Sequence, residues 1–204
     1  MTQLHNSFKF CFILAGPWVG GHHLQNLIQT SDKFYNSMPP NELLSVYKTN
    51  LSNKAHVNCF LTMSTSDQDH VVECATNSTK PMVLTGHLST LMLMQEKLEN
   101  VGPIKLILIE YPWDTQSLPY KRILKNLPNI DMHHLGEQNL FYKKDIIKRL
   151  YNIKDSNILD IGIDLYQSQD IDAVLTPIGE FVDTIFSIKE CKEIHNNWLT
   201  KAYK

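Results

Sequence analysis

Arginine is nearly absent from this 204-residue chain: apart from Arg122 and Arg149, every side chain that is cationic at pH 7, histidine aside, is lysine. The guanidinium is the usual bidentate partner of phosphate and sulfate, so an oxyanion site here has to be built from other groups. Asn, Ile and Lys abound where Arg and Ala are scarce, which reads as A/T-rich coding as much as chemistry. An excess of one charge is missing too. The net charge is −2, which offers no field to draw nucleic acid or an anionic membrane.

Paired cysteines are also lacking. Cys11, Cys59, Cys74 and Cys191 stand apart with no C-x-x-C spacing, and Cys11 falls inside an apolar run. Reduced, packed thiols in a cytoplasmic protein are the expectation. The first seven residues are mostly polar, without the basic and apolar regions of a signal peptide. No apolar run approaches the ~20 residues that a membrane-spanning helix needs. No internal repeat, coiled coil or low-complexity tract is visible, and nothing speaks to oligomeric state. The expectation is a soluble protein with a single domain over residues 1–204, large enough for a substantial core.

What is present is concentrated near the start. Residues 8–15 are apolar apart from Lys9, a loop bearing Gly16, Gly20 and Gly21 follows, and Leu24, Leu27 and Ile28 then recur at helical spacing. Strand, loop, helix is the layout in which backbone N–H groups and a helix N-terminus hold an anion. Gly16 and Gly21 match the glycines of a Walker loop, G-x-x-x-x-G. The next two positions, normally Lys and Ser or Thr, are His22 and His23, which argues against an ordinary ATP-hydrolysing engine. The competing reading is a strand-to-helix turn whose glycines serve only packing.

Further strands are expected at 81–85, 104–109 and 157–164. Helices are expected at 88–98, 120–127 and 141–151, and a short one at 42–47. Residues 57–63 suit either strand or helix, while 64–70 and 76–80 read as loops. Ile171, Val174, Leu175, Ile178, Phe181, Val182 and Ile185 carry a helical period interrupted at Thr176-Pro177. Ser187-Ile-Lys-Glu190 reads as a capping box opening a last helix with Ile188, Cys191, Ile194 and Trp198 inward. Apolar strands alternating with helices predict an α/β fold, a three-layer sandwich on a mostly parallel central sheet.

Two more segments place polar residues at the carboxyl end of a strand, where open α/β sheets bind ligands. His87 follows the second strand and precedes a helix. Its side chain titrates near neutrality and suits a general base, against the plainer role of packing at a helix start. The third strand leads through Glu110 and Tyr111 into a polar loop with Ser117 and then Lys121-Arg122. A metal site using His22-His23 with His87 or His133-His134 is a weaker rival. Adjacent helical side chains point about 100° apart, and no Cys pair or H-E-x-x-H accompanies them. Trp18, Trp113 and Trp198 suit either an acceptor pocket or core packing.

In this order the segments resemble the sulfotransferase family, which transfers sulfuryl groups from 3′-phosphoadenosine 5′-phosphosulfate (PAPS) on a P-loop NTPase-like fold. The family's first loop, P-K-S-G-T-T-W, is matched by Trp18-Val-Gly-Gly-His-His-Leu24. Its K-T-H-L-P motif is similar to Thr85-Gly-His-Leu-Ser89, and its strand, Arg and Ser to residues 104–111 and Ser117. The tail from Phe181 through His195 to Leu199 looks like the family's closing helices.

The resemblance implies a donor site at Trp18, Val19, Gly20, Gly21, His22, His23 and Ser117, with His87 as catalytic base, no metal, and a small-molecule or glycan hydroxyl as acceptor. It also marks departures. The family's phosphate-clamping Lys maps to Val19, the Lys two residues before the base to Thr85, and the Arg for the 3′-phosphate to Glu110 or Tyr111. Charge-assisted hydrogen bonds are worth ~1.5–3 kcal/mol each, so two lost cations cost on the order of a hundredfold or more in affinity. A helix N-terminus returns only ~0.3–2 kcal/mol. Two alternatives therefore stand beside transfer: a catalytically inactive P-loop-like binding protein, and a P-loop nucleotide or nucleoside kinase.

Overall fold

Every residue of β1, Phe10–Ala15, is apolar and buried, which only a strand covered on both faces sustains. β2 (Met82–Gly86) and β3 (Ile104–Glu110) flank it, and β4 (Ile158–Gly162) pairs with β3. The order is β2-β1-β3-β4 and every pairing is parallel, with Phe12 opposite Leu84 on one side and Leu106 on the other. The computed structural model describes residues 8–16, 20–34, 69, 72–73, 76–86, 88, 91, 97, 101–110, 120–121, 124–125, 128–129, 131, 141–162 and 170–202, with the backbone alone at 22, 201 and 202.

Alternation along the strands divides the core in two. Cys11, Ile13 and Ala15 of β1, with Ile107 and Ile109 of β3, meet helices α1 (Gly21–Ile28), α3 (Ile171–Val182) and α4 (Ile188–Ala202). Phe10, Phe12 and Leu14, with Leu106 and Leu108, meet Leu91 and helix α2 (Lys144–Tyr151) through Ile147 and Tyr151. Helices thus cover both faces, and the expected three-layer α/β sandwich forms with all four described strands parallel. Among the described residues no helix is long and apolar enough to cross a membrane.

Several local expectations need correction. α3 runs straight through Pro177, although an interior proline removes a hydrogen bond at ~3 kcal/mol. Ile171, Val174, Leu175, Ile178 and Val182 are all buried along it. At ~1.5–3 kcal/mol per buried side chain, that stripe outweighs the loss. The helix ends at Val182, with Asp183 left-handed, so Ile185 does not share the stripe and stands 94% exposed.

α2 starts at Lys144, three residues later than expected, because Lys143 is extended (φ −125°, ψ 139°) as its N-cap residue. Thr76 and Asn77, expected in a loop, are helical, as is Asp69. The Thr76 hydroxyl donates to the Val72 carbonyl at 2.8 Å, the back-bond that lets a turn-forming residue sit in a helix. The expected elements at 42–47 and 57–63 lie outside the described residues.

Candidate functional site

β1 and β3 are neighbours, yet the chain leaves β1 for β2 on one side and β3 for β4 on the other. The carboxyl ends of β1 and β3 therefore flank a topological switch point, the crevice in which open parallel sheets bind ligands. Gly16, Gly20 and Gly21 follow β1 there, Glu110 ends β3, and Thr85 and Gly86 end β2.

The two glycines opening α1 answer different demands. Gly20, the N-cap residue, is left-handed (φ 91°, ψ 25°), a conformation that costs L-residues roughly 1–2 kcal/mol. Its carbonyl accepts the first helical bond, from Leu24 N–H at 3.1 Å. Gly21 instead lies against the sheet: a Cβ there would sit 2.6 Å from Thr85 Oγ1 and 3.0 Å from Ala15 Cβ. The helix starts this close to the strand ends because residue 21 has no side chain. Gly20 has no side chain with which to cap the turn and no acidic residue occupies it, so its N-terminal dipole end meets no carboxylate from the helix itself. That donor set suits the phosphosulfate end of a PAPS-like anion.

His23, the third residue of α1, turns its ring away into the core. It is 5% exposed, its Nε2 lies 3.0 Å from Nδ1 of His195 on α4, and its ring stacks on Trp198 at 4.3 Å and 3°. Its backbone belongs to the turn while its imidazole belongs to the α1–α4 contact. His195 falls seven residues after Ile188, within the inward stripe of the last helix. A histidine in an apolar stripe is the signal that identifies it.

Thr85 and Glu110, standing where the resembling family has cations, are engaged structurally. The buried Thr85 hydroxyl donates to the Ile13 carbonyl at 3.2 Å. A Glu110 carboxylate oxygen accepts from the Lys144 N–H at 2.9 Å, placing an anion on the first amide of α2, where helix ends favour one. The side chain at 110 therefore does not fit a 3′-phosphate. Beside β2, the Leu88 N–H donates to the Tyr142 hydroxyl at 3.4 Å, and burial pushes the Tyr142 phenol up to about 12.

Of the expected site residues, Gly20, Gly21 and His23 meet at the β1–α1 turn, together with the backbone of His22. Trp18, Val19, His87 and Ser117 lie outside the described residues, as do Trp113, His133 and His134. Among the described residues no three His, Cys, Asp or Glu side chains gather as metal ligands. Cys11 and Cys191 are free, buried thiols.

No protein-family model matches the chain, and no curated protein matches it in sequence. Among solved structures it is similar to the sulfotransferase domain from the curacin biosynthetic pathway. The TM-score is 0.53 at 14% identity, over 89% of this chain and 76% of that one. At such identity the likeness is one of fold. The parallel sheet, the glycine turn at its switch point and this likeness together give the chain a sulfotransferase-like α/β fold.

Proposed function

We propose that the chain is one cytoplasmic domain over residues 1–204 that transfers a sulfuryl group from PAPS to a hydroxyl of a small molecule or glycan. The observation that carries this reading is the β1–α1 turn: a left-handed Gly20 and a side-chain-free Gly21 bring a helix start with no acidic residue in its first turn to the sheet's switch point. The fold likeness to a sulfotransferase domain supports it.

PAPS, when bound, supplies an activated sulfuryl group next to a phosphate. In this reading Trp18, Val19, Gly20, Gly21, His22 and His23 hold the phosphosulfate, chiefly through backbone N–H groups. Ser117 gives the 3′-phosphate a hydroxyl contact. His87 takes the proton of the acceptor hydroxyl as that oxygen bonds to sulfur. The amides opening α1 stabilise the negative charge that gathers on the phosphate oxygen as its bond to sulfur breaks.

The test is transfer from labelled PAPS to a panel of hydroxyl acceptors by the full chain. His87→Ala is expected to lower turnover by at least about a hundredfold while leaving adenosine 3′,5′-bisphosphate binding within about threefold, since a base contributes little to ground-state affinity. Unchanged turnover in that variant rules out the base assignment. A second reading, a binding protein without transfer, is favoured by Glu110, whose carboxylate is spent on α2. Its signature is bisphosphate binding with no product from any acceptor.

A further inference from the structure

We propose that His195 is a positioning residue for the donor turn, acting through His23; this rests on the reading of the β1–α1 turn given above. His195 is fully buried and His23 nearly so. Burying an imidazole is costly unless its polar nitrogens are hydrogen-bonded, and leucine or phenylalanine would fill the same space without that cost. What the histidine pair adds is direction. One proton lies between His23 Nε2 and His195 Nδ1, 3.0 Å apart, so one ring donates, the other accepts, and the tautomer of each sets that of the other.

Trp198, one turn beyond His195 on α4, lies flat on the His23 ring at 4.3 Å. It packs against His195 as well, with centroids 5.8 Å apart. The hydrogen bond fixes how His23 is turned, and the indole fixes its plane.

His23 is the third residue of α1, so a fixed ring fixes the first helical turn. Other contacts hold the same helix to the sheet. Gly21 meets Thr85 and Ala15 on the sheet, and Gln25 Nε2 donates to the Val83 carbonyl of β2 at 3.0 Å. The sheet sets how deep the helix start lies and Gln25 holds its flank on β2. His195 supplies a tie on the remaining side, from α4 to the start of the helix, while Thr30 Oγ1, just past its end, lies 3.5 Å from Cys191 Sγ. Anion-binding amides contribute only when aimed within a fraction of an ångström. A tie across 172 residues of chain thus makes the closing helix part of the donor site without touching the donor.

The experiment titrates adenosine 3′,5′-bisphosphate and inorganic pyrophosphate into the full chain and its His195→Gln and His195→Asn variants. Asparagine carries its amide close to where Nδ1 stands; glutamine carries it one bond too far. His195→Gln is expected to weaken both anions about tenfold, and His195→Asn to stay within about threefold of the parent. Nitrogen-15 spectra of the His23 ring should change tautomer in the Gln variant and keep it in the Asn variant.

Equal losses in the two variants, or parent-like binding in His195→Gln, overturn the proposal; so does failure of His195→Asn to fold. A parent chain that binds pyrophosphate but not the bisphosphate, with the Gln and Asn pattern intact on pyrophosphate, removes the PAPS reading and leaves the positioning role standing. Binding of neither anion by the parent overturns both.

Discussion

The two ends of β1 are finished by opposite means. At the amino end, long cationic side chains reach across gaps. Lys9 Nζ donates to the Ser78 carbonyl at 2.9 Å. The Lys105 ammonium lies 5.2 Å from the Phe8 ring centre and 4.8 Å from that of Phe181, and Lys33 reaches Asp183 at 3.2 Å. At the carboxyl end, contact is made by backbone and short side chains: Gly21 on Thr85, Thr85 on Ile13, Glu110 on the Lys144 amide. A four-carbon stem can adjust by ångströms, whereas a glycine pressed on a strand cannot. The end proposed to bind the donor is the one without slack, as a preorganised site requires.

The most damaging way to break this contrast is Gly21→Ala. The new methyl would meet Thr85 Oγ1 at 2.6 Å and Ala15 Cβ at 3.0 Å, and overpacking of this kind costs about 1–3 kcal/mol. Denaturant midpoints should fall accordingly. The cost should shrink in the Gly21→Ala/Thr85→Ala double variant relative to the sum of the singles, because neighbours that clash are not additive. An additive pair would show that α1 does not start on the sheet as described.

Alkaline pH sharpens the contrast from the other end. Burial pushes the Cys11 thiol from 9.0 up to about 12, against the pull of Lys105. Since the folded value is raised, the stability it represents is complete below the ordinary thiol range and is lost as pH climbs from 9.0 towards about 12. The slope is about 1.4 kcal/mol per pH unit. Cys11→Ala should flatten the decline in unfolding free energy over that window. In the parent, a disulfide reagent should leave Cys11 unmodified at pH 8.

The sheet was legible in advance because three strands are apolar runs closed by Gly, Pro or a polar loop, which carry their burial in their composition, and the fourth alternates in part. The glycine turn was legible for the same reason: only glycine accepts both a left-handed backbone at 20 and a missing side chain at 21. What was hidden depends on residues distant in sequence. Pro177 reads as a helix break until the buried stripe on both sides of it is counted. His23 reads as an imidazole for the ligand until His195 takes its Nε2. Glu110 reads as a lost cation, and only the arrival of Lys144 beneath it shows a helix cap instead. Periodicity reports which face is buried, not which partner waits there.

Glu110→Ala tests that last assignment with a moderate expected effect. Removing a capping carboxylate typically costs about 1 kcal/mol, and the loss should appear as faster amide exchange in the first turn of α2 rather than across the sheet. Glu110→Gln, which keeps an acceptor oxygen, should recover most of it. If Glu110→Ala instead strengthens bisphosphate binding without disturbing α2, the carboxylate was opposing the donor's charge and the contrast between the two ends is electrostatic rather than steric.

The smallest effect is expected at the amino end, from Lys105→Met. The ammonium gains from two aromatic faces and from its bond to the Phe181 carbonyl, worth about 0.5–1 kcal/mol each at partly exposed sites. Against this stand its own desolvation and the nearby Lys33, which both hold its pKa below the usual lysine value. Methionine keeps the stem between the rings and removes the penalty along with the gain, so the two should nearly cancel. The sign of the pH effect separates this from an inert surface change. A lowered folded pKa disfavours the native state while lysine is charged in both states, and that penalty is relieved as pH rises from the lowered folded value up to the ordinary lysine value. Lys105→Met should therefore remove a stabilising trend with pH, opposite in direction to that removed by Cys11→Ala. A loss of several kcal/mol in Lys105→Met would mean that the amino end is as tightly fitted as the carboxyl end.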